Sequence, residues 1–429
     1  MNLQEKDKTY IWHPFTQMKL ADAPIHIERA KGCYLYASDG GKYLDAVSSW
    51  WVNIHGHAHP YIAEKIAQQA KELEHVIFAG FTHTPAITLA EKLLKLLPDN
   101  FSKIFYSDNG STAVEVALKM AIQYWHNIGE KQKIKIIAFE NAYHGDTFGA
   151  MAVGARNTFN KPFHDLLFEV HYIPVPLENN FTASFEEFEA LSEQEDVAAF
   201  IFEPLVQGTA GMRMHSAEHL DNLLAIAKKK NIICIADEVM TGFGRTGKIF
   251  ACEYLHKTPD VICLSKGITG GFMPLGVTAC TEKIYNAFYS DEMSKTFFHG
   301  HSYTANPLAC SAAIASLELL SHETCVKQIA KICSSHVKFA DTLKRRDFIK
   351  DVRQRGTILA VELNTKEDSS YFNSIRNDIY KFCLAKGVLL RPLGNVIYFM
   401  PPYCITQSEM KYVYDVIDDT IFFLEKKYF

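Results

Sequence analysis

Residues 232–238 read Ile-Ile-Cys-Ile-Ala-Asp-Glu, and residues 261–267 read Val-Ile-Cys-Leu-Ser-Lys-Gly. Each stretch is a short, continuous apolar run that leads directly into residues with reactive or ionisable side chains. Such runs are typical of strands that are covered on both faces, as the strands of a parallel sheet are. A carboxylate or an amine at the end of a covered strand is costly to bury without a partner. Asp237 and Lys266 are therefore candidate site residues.

Helical patterns alternate with further apolar runs on both sides of these two stretches. Strands are predicted at residues 134–139, 197–202, 232–236, 261–264 and 275–280, and helices at residues 84–97 and 111–128. This alternation predicts a mainly parallel sheet covered by helices, which is an α/β fold. The C-terminal part shows helices with antiparallel-looking strands, such as 357–363 and 395–400. We therefore expect a large α/β domain over residues 50–314 and a small α+β domain built from both chain ends, residues 1–49 and 315–429.

The composition excludes several classes of protein. The 429 residues include 44 basic and 49 acidic side chains, a net charge of −5, whereas an electrostatic nucleic-acid binder needs a basic excess or a basic face. No apolar run reaches the length of about 18 residues that a membrane-spanning helix needs, and the charged N-terminus lacks the apolar middle of a signal peptide. The ten cysteines form no Cys-x-x-Cys pair. We therefore expect a reduced, cytoplasmic protein that binds neither nucleic acid nor membrane.

Other predicted strands also end on polar residues, and the ligands of parallel sheets gather beyond the carboxyl ends of the strands. One strand runs into Glu203, and another leads into Tyr-His-Gly-Asp at residues 143–146. Separately, Gly110 and Ser111 stand at the start of a patterned helix, where free N–H groups form an anion cradle. The alternative for this segment is plain N-capping, which Asn and Ser favour in any protein.

Two further motifs have weaker interpretations. Residues 242–247 match the dinucleotide pattern Gly-x-Gly-x-x-Gly, but no long helix is predicted to begin at Gly247, and Ile249 stands where a P-loop needs Ser or Thr. The alternate histidines at 55, 57 and 59 could face a metal ion from an extended chain, but no fourth ligand is evident nearby. We expect neither a nucleotide nor a metal ion at these motifs.

Two motifs carry a resemblance that covers nearly the full chain. Residues 235–247 read Ile-Ala-Asp-Glu-Val-Met-Thr-Gly-Phe-Gly-Arg-Thr-Gly, and the lysine of Ser265-Lys266-Gly267 follows 29 residues after Asp237. In these motifs the chain resembles the class III (ω-) aminotransferases, which are fold-type I transferases dependent on pyridoxal 5'-phosphate. The resemblance implies pyridoxal phosphate as the cofactor and a homodimer with shared active sites.

The resemblance also implies roles for the residues around that cofactor. Lys266 would form the internal Schiff base and then move a proton, which requires a neutral amine and therefore a lowered pKa. Asp237 would keep the pyridine nitrogen protonated, so that the ring acts as an electron sink. The other implied cofactor-binding residues are Gly110 and Ser111 at the phosphate, Tyr143 on the ring, and His301 and Ser302, which reach across a dimer interface to the other subunit's phosphate.

Further stretches resemble one branch of the family, which aminates 8-amino-7-oxononanoate (KAPA) to 7,8-diaminononanoate (DAPA) in biotin biosynthesis. They are Ile-Trp-His-Pro-Phe-Thr at 11–16, Ser-Ser-Trp-Trp at 48–51, Tyr-His-Gly-Asp-Thr at 143–147, His-Gly at 299–300, Arg-Pro-Leu-Gly at 391–394 and Tyr-Phe-Met-Pro-Pro at 398–402. This branch implies that Arg391 clamps the carboxylate of the keto acid through a bidentate pair. The other implied substrate-binding residues are Phe15, Trp50, Tyr143, Lys266 and Gly300.

The chain departs from the family pattern at three places. Met240 stands where many members carry Gln beside the cofactor's phenolic oxygen. Phe15 stands where the best-known members that use S-adenosylmethionine as amino donor have Tyr, and His301-Ser302 stands where they have Pro-Thr. We expect S-adenosylmethionine as the donor, partly because the face of Trp50 can attract a sulfonium. Lysine is the alternative donor.

Other functions also stay open. A related transaminase of simple amines or amino acids would use the same cofactor, but it would not need Arg391 or two neighbouring tryptophans. A binding or regulatory protein without catalysis would be free to lose Asp237 or Lys266, and both are present.

Overall fold

Helices and strands alternate through most of the chain. The computed structural model describes residues 1–344, 346–367, 369 and 372–428. The strands are β1 (Ile27–Lys31), β2 (Tyr34–Ala37), β3 (Lys42–Asp45), β4 (Phe101–Ser107), β5 (Lys135–Phe139), β6 (Val170–Ile173), β7 (Val197–Phe202), β8 (Val206–Gln207), β9 (Arg213–Met214), β10 (Ile233–Asp237), β11 (Val261–Leu264), β12 (Gly276–Thr281), β13 (Ile349–Arg355), β14 (Ile358–Leu363), β15 (Val388–Leu389) and β16 (Val396–Phe399). The helical elements are α1 (Leu3–Tyr10), α2 (Ser48–Trp51), α3 (Pro60–Glu72), α4 (Thr84–Leu96), α5 (Gly110–Asn127), α6 (Phe148–Val153), α7 (Phe181–Ser192), α8 (Ala217–Lys229), α9 (Glu282–Asn286), α10 (Pro307–Leu320), α11 (Glu323–Leu343), α12 (Arg376–Ala385) and α13 (Gln407–Tyr428).

The largest sheet has seven strands in the order β4-β12-β11-β10-β7-β5-β6. β10 pairs in parallel with β11 and β7, and β5 pairs in parallel with β7 and β6. β12 runs antiparallel to both of its neighbours. Every residue of β7, β10 and β11 is buried, which explains why their sequences are continuously apolar instead of alternating.

Successive residues of β10 pack into different apolar clusters, because side chains of a strand point to opposite faces of the sheet. Ile233 and Ile235 lie in a cluster that includes the buried side of α5. Cys234 and Ala236 lie in the other cluster, which includes buried leucines of α4 and α8. The sheet is therefore the middle layer between two sets of helices.

The register of the central strands brings their polar ends to one edge. Asp237 pairs with Cys263 of β11, so Lys266 follows three residues beyond that level. Ala236 pairs with Phe202 of β7, and Glu203 follows directly. The polar residues that end β7, β10 and β11 therefore meet at one edge of the sheet.

Residues near the two ends of the sequence form two smaller sheets. One has the order β1-β2-β3-β15 and joins the N-terminal strands to Val388–Leu389 through a parallel pairing of β15 with β3. The other is the antiparallel sheet β13-β14-β16. The domain boundaries after residues 49 and 314 stay a prediction.

The predicted α/β fold with a mainly parallel sheet is confirmed. The strands and helices predicted from the sequence are present with ends that differ by one residue at most. The strand predicted at 275–280 is the antiparallel β12, a direction that its apolar sequence does not encode. Among the helices that the structure describes, none is long and apolar enough to cross a membrane. The ten cysteines are all free, and most are buried.

One fully buried histidine of α11, His336, packs against the C-terminal part of the fold. The ring of His336 contacts the Tyr414 hydroxyl at 2.8 Å through Nδ1, and its Nε2 donates to the Thr357 carbonyl at 3.2 Å. Burial lowers the pKa of His336 to about 3. His55 and His215 are also buried, and burial lowers their pKa to about 3 and about 4.

We predict that acid destabilises the fold through these histidines. The unfolded chain binds their protons near pH 6.5, whereas the folded chain binds them only near pH 3 to 4, so stability is intact above pH 6.5 and falls below it. Each histidine contributes up to about 1.4 kcal/mol per pH unit in that range. Urea unfolding at several pH values gives the slope of the unfolding free energy against pH. Below pH 6.5 this slope should be smaller for His336→Gln than for wild type. The matched variant His126→Gln, at an exposed position, should keep the wild-type slope, and equal slopes for both variants would contradict the prediction.

Candidate active site

The carboxyl-terminal edge of the large sheet borders a cavity with a volume of about 620 Å³. Residues that follow β5, β7, β10 and β11 line it, together with the start of α5. Five predicted site residues are part of this lining: Gly110, Ser111, Tyr143, Asp237 and Lys266.

Lys266 reaches into the cavity from the turn that follows β11. Its φ of 46° lies in the left-handed region, which non-glycine residues seldom adopt outside functional sites. The side chain keeps some exposure to the cavity, but protein surrounds its amine. This desolvation lowers the pKa of Lys266 to about 8, although the nearby carboxylates of Asp237 and Glu203 act in the opposite direction. At pH 7 the neutral amine is therefore roughly 300-fold more abundant than in an ordinary lysine.

Asp237 is held in place by two hydrogen bonds at the end of β10. Its Oδ1 accepts from the Val239 N–H at 3.0 Å, and its Oδ2 lies 2.7 Å from Nδ1 of His144. Both side chains are buried. These two hydrogen bonds leave a lone pair on each carboxylate oxygen for a further donor, such as a protonated ring nitrogen.

The first turn of α5 forms an anion cradle. The Asn109 side chain caps the helix by accepting from the Thr112 N–H at 3.0 Å, and among the described residues no acceptor pairs with the N–H groups of Gly110 and Ser111. A Cβ on Gly110 would lie 2.6 Å from Val239 Cγ1, and one on Gly145 would lie 2.1 Å from Ser111 Oγ. Free N–H groups, a hydroxyl and two obligatory glycines suit a phosphate. The residues present therefore fit the implied pyridoxal phosphate.

Tyr143 and Glu203 connect the loop after β5 to the floor of the cavity. The Tyr143 hydroxyl donates to Asp146 at 3.0 Å, and its backbone N–H donates to Glu203 at 3.2 Å. Glu203 also accepts from the Gly208 N–H at 2.9 Å. Burial raises the pKa of Glu203 to about 7 and raises the pKa of Tyr143 as well. Glu203 thus fixes the loop that carries Tyr143.

Three of the predicted substrate-binding residues form a second group outside the cavity lining. The Arg391 guanidinium lies 4.7 Å from the ring centroid of Trp50, and the Phe15 ring packs edge-on against Trp50 at 5.5 Å. Among the described residues, no carboxylate forms an ion pair with Arg391. The Arg391 guanidinium therefore lies over the Trp50 ring and can bind an anion.

Trp51, the neighbour of Trp50, joins this group to the cavity. Trp51 is buried in the lining, with its ring centroid 4.5 Å from the Lys266 amine. Both tryptophans belong to α2, a single turn whose four residues have φ between 45° and 76°. This left-handed turn costs roughly 1–2 kcal/mol per residue, so other contacts have to hold it.

Gly300, His301 and Ser302 lie in neither group. They belong to the loop before α10, where Gly300 and Ser302 are exposed and His301 is partly exposed. Nε2 of His301 has no hydrogen-bond partner among the described residues. In a single chain, these three residues do not line the cavity.

Three residues of the site were not predicted as such. Glu203 ends a strand, which was a visible signal, but its role depends on the loop that it holds. His144 belongs to a predicted motif, yet its contact with Asp237 spans 93 positions of the sequence. Trp51 and Trp50 look alike in the sequence, and only the turn of α2 decides which of them faces the lysine.

The two weaker motifs have structural explanations. His57 pairs with Asp45 at 2.8 Å, and His55 contacts Ser316. Among the described residues, no cluster of three His, Cys, Asp or Glu side chains could hold a metal ion. Residues 242–247 form turns in which no long helix begins.

A family model described as "Aminotransferase class-III" matches residues 16–421. Adenosylmethionine-8-amino-7-oxononanoate aminotransferase of Synechococcus elongatus is 49% identical over 420 residues, which cover 96% of this chain and 98% of that protein. The enzyme of the same name from Staphylococcus aureus is 41% identical over 428 residues, covering 95% of each chain.

Two solved structures are similar over nearly their whole length. The crystal structure of adenosylmethionine-8-amino-7-oxononanoate aminotransferase from Methanocaldococcus jannaschii has a TM-score of 0.93 and 40% identity, covering 98% of each chain. An amine transaminase from an uncultivated Pseudomonas species, in a pyridoxal-phosphate-bound form, has a TM-score of 0.90 and 30% identity, covering 96% of this chain and 98% of that one.

We predict that Gly145→Ala destroys the anion cradle and leaves the fold intact. The new methyl group would collide with Ser111, whose hydroxyl and N–H belong to the cradle. Affinity for pyridoxal phosphate, measured by equilibrium titration, should fall more than about tenfold, the equivalent of one lost charge-assisted contact. Gly129→Ala is the matched control, because it introduces a similar left-handed strain where no neighbour lies within 4 Å. Equal affinities for both variants would contradict the prediction.

Proposed function

The chain belongs to the class-III aminotransferase family, and on this premise we propose that it transfers an amino group from S-adenosylmethionine to KAPA, giving DAPA for biotin biosynthesis. The observation that carries the proposal is a single path of contacts. It runs from the Lys266 amine, with its lowered pKa, across Trp51 and Trp50 to an unpaired Arg391. A long substrate with a keto group at one end and a carboxylate at the other needs an amine at one end of the site and a guanidinium at the other.

Pyridoxal phosphate is the cofactor that we assign to the cavity. When bound, it supplies an electron sink that stabilises negative charge on the substrate carbon. We assign its phosphate to the cradle of Gly110 and Ser111, and its ring to the space beside Tyr143. The glycines that the cradle requires support this assignment. Met240 lines the same cavity and is buried, so an apolar contact replaces the Gln that many family members have there.

Lys266 and Asp237 are the residues that we assign to the chemistry. The neutral Lys266 amine would hold the cofactor at its aldehyde carbon with loss of water, and once the donor amine displaces it, Lys266 would carry a proton to and from the reacting carbon. The Asp237 carboxylate holds a proton on the ring nitrogen, and the 2.7 Å contact with His144 fixes its orientation. Support for the neutral amine comes from its pKa of about 8.

Arg391 and the aromatic residues around it are the proposed acceptor site. A planar guanidinium binds a carboxylate through two parallel hydrogen bonds. Trp50 lies against Arg391, and Phe15 packs against Trp50, so these two rings provide apolar surface that suits the methylene chain of KAPA. A transaminase of simple amines needs neither the cation nor this length.

S-adenosylmethionine is the amino donor that we propose. The names of the relatives include adenosylmethionine, and we extend that donor to this chain. Trp50 is 40% exposed, and the sulfonium would contact the exposed part of its ring, at a gain of ~0.5–2 kcal/mol. Phe15 and His301-Ser302 look more like a branch of the family that uses lysine, so lysine is the alternative donor.

The active enzyme is proposed to be a cytoplasmic homodimer. The loop with Gly300, His301 and Ser302 would complete the substrate and phosphate sites of the other subunit. The exposure of Gly300 and Ser302 supports this arrangement. A reducing cytoplasm suits ten cysteines without a disulfide. A monomeric mass in sedimentation equilibrium would contradict the shared site.

The half-reactions test the donor and the acceptor separately. Purified holoenzyme is mixed with S-adenosylmethionine or with lysine, and conversion of the bound cofactor to pyridoxamine phosphate is followed by absorbance. We expect rapid conversion by S-adenosylmethionine, followed by return of the original spectrum on addition of KAPA. Lys266→Ala should fold but convert with neither donor, whereas the exposed Lys71→Ala should match wild type. If only lysine converts the cofactor, lysine is the amino donor in place of S-adenosylmethionine. If KAPA does not restore the original spectrum, the proposed function is refuted.

We predict that Arg391→Ala weakens the KAPA half-reaction and spares the donor half-reaction. Truncation of a bidentate charged contact costs ~1.5–3 kcal/mol, or roughly a 10- to 150-fold loss in kcat/KM. Arg391→Lys should recover only part of that loss, because an ammonium keeps the charge but not the planar fork. An equal loss in both half-reactions would indicate that Arg391 has a structural role.

A further inference from the structure

The left-handed turn α2 carries both tryptophans that connect the two ends of the proposed substrate site. Trp51 lies beside Lys266, and Trp50 lies beside Arg391, with ring-to-cation distances of 4.5 and 4.7 Å. Four successive non-glycine residues with positive φ are unfavourable, so this turn does not form by local preference. Tertiary contacts have to impose it.

Asp45, at the end of β3, makes several of these contacts. Its Oδ1 accepts from the backbone N–H groups of Val47 at 3.2 Å and Ser49 at 3.0 Å. Its Oδ2 accepts from the Ser49 hydroxyl at 2.7 Å and lies 2.8 Å from Nε2 of His57. The Asn53 amide lies 3.1 Å from the other ring nitrogen of His57, which leaves Nε2 as the donor to Asp45. All four hydrogen bonds therefore converge on one carboxylate.

This carboxylate is fully buried and charged. Asp45 has no solvent exposure. Burial opposes its charged form, but the hydrogen bonds from His57 and Ser49 outweigh burial and lower the pKa of Asp45. His57 comes from the alternating histidine motif at residues 55–59. The motif is thus part of the support of the turn.

The same strand end also sets the position of Arg391. β3 pairs in parallel with β15, with Asp45 opposite Leu389, and the Ala46 N–H donates to the Leu389 carbonyl at 3.1 Å. Arg391 follows Leu389 by two residues. The turn with the tryptophans follows β3, and the segment with Arg391 follows its neighbour β15. Asp45 therefore lies at the point where both segments begin.

We propose that Asp45 is a positioning residue that determines which length of keto acid the enzyme accepts. By holding the turn, it fixes the separation between the Lys266 end and the Arg391 end of the substrate site. A keto acid of matching length reaches both ends, whereas a shorter one reaches only the lysine. The inference rests on the proposed function, because it takes the carboxylate of KAPA to bind at Arg391.

Chain-length selectivity is the readout that tests this role. The kcat/KM of the acceptor half-reaction is measured for KAPA and for its homologue with two methylenes fewer, 6-amino-5-oxoheptanoate. Asp45→Asn keeps an acceptor for the two N–H groups but loses the anionic acceptor of Ser49 and His57. We expect kcat/KM for KAPA to fall at least tenfold, mainly through KM, and that for the short homologue to change less than threefold. The donor half-reaction, with whichever donor is active, should fall by a smaller factor than the KAPA half-reaction, because the donor uses at most Trp50 and does not bind at Arg391.

Two further variants separate positioning from general stability. Ser49→Ala removes only one hydroxyl donor and should shift the selectivity in the same direction by a smaller factor, so the test holds even if Asp45→Asn fails to fold. Asp221→Asn is the matched control, because Asp221 is also a buried carboxylate that accepts from backbone N–H groups, those of His256 and Lys257. It should lower the melting temperature and leave the selectivity unchanged.

The outcomes distinguish the role of Asp45 from the proposed amination of KAPA. If wild type aminates KAPA and neither Asp45→Asn nor Ser49→Ala changes the ratio of the two kcat/KM values, the role of Asp45 is refuted and the proposed function stands. If wild-type enzyme does not aminate KAPA, both are refuted. A loss of equal size in the donor and acceptor half-reactions of Asp45→Asn would also refute selective positioning.

Discussion

The parallel pairing of β10 with β11 puts an aspartate and a lysine at the same edge of the large sheet. Residues from other parts of the fold offset the cost of burying these two ionisable side chains. Ionisable side chains at the ends of buried strands need partners. Asp237 has His144 and a backbone N–H, Glu203 has two backbone N–H groups, and the Lys266 amine lies against the ring of Trp51. The same partners that make these groups stable also orient them toward one cavity.

The fold was largely predictable because its main determinant is local. Continuous apolar runs of four to six residues occur where strands are covered on both faces, and amphipathic patterns occur where helices cover them. The direction of β12 was not predictable in this way, because an apolar run is the same for a parallel and an antiparallel neighbour. That direction depends on how the chain returns to the sheet after the turn at Lys266–Thr269.

The site was predictable only in part, for a reason that can be traced to particular residues. Asp237, Lys266 and Gly110 stand next to a recognisable strand or helix, and motifs that resemble a known family mark them. The His144 contact, the loop fixed by Glu203 and the left-handed turn at Ser48–Trp51 depend on contacts between distant parts of the chain. No local preference favours four successive left-handed residues. Their conformation follows from Asp45 and from the strands that hold it.

The tertiary contacts of that turn have a consequence for biogenesis. The Ser48 hydroxyl donates to the Met400 carbonyl, Trp51 Nε1 donates to the Tyr398 hydroxyl, and the buried Arg245 bridges the carbonyls of Trp51 and Pro401. In the sequence, 352 residues separate Ser48 from Met400 and 347 separate Trp51 from Tyr398, so a ribosome makes the turn long before it makes these partners. During that interval the nascent chain lacks the contacts that hold Trp50 and Trp51 in place. The wall of the pocket therefore assembles only after the segment that carries Tyr398 and Met400 has been made.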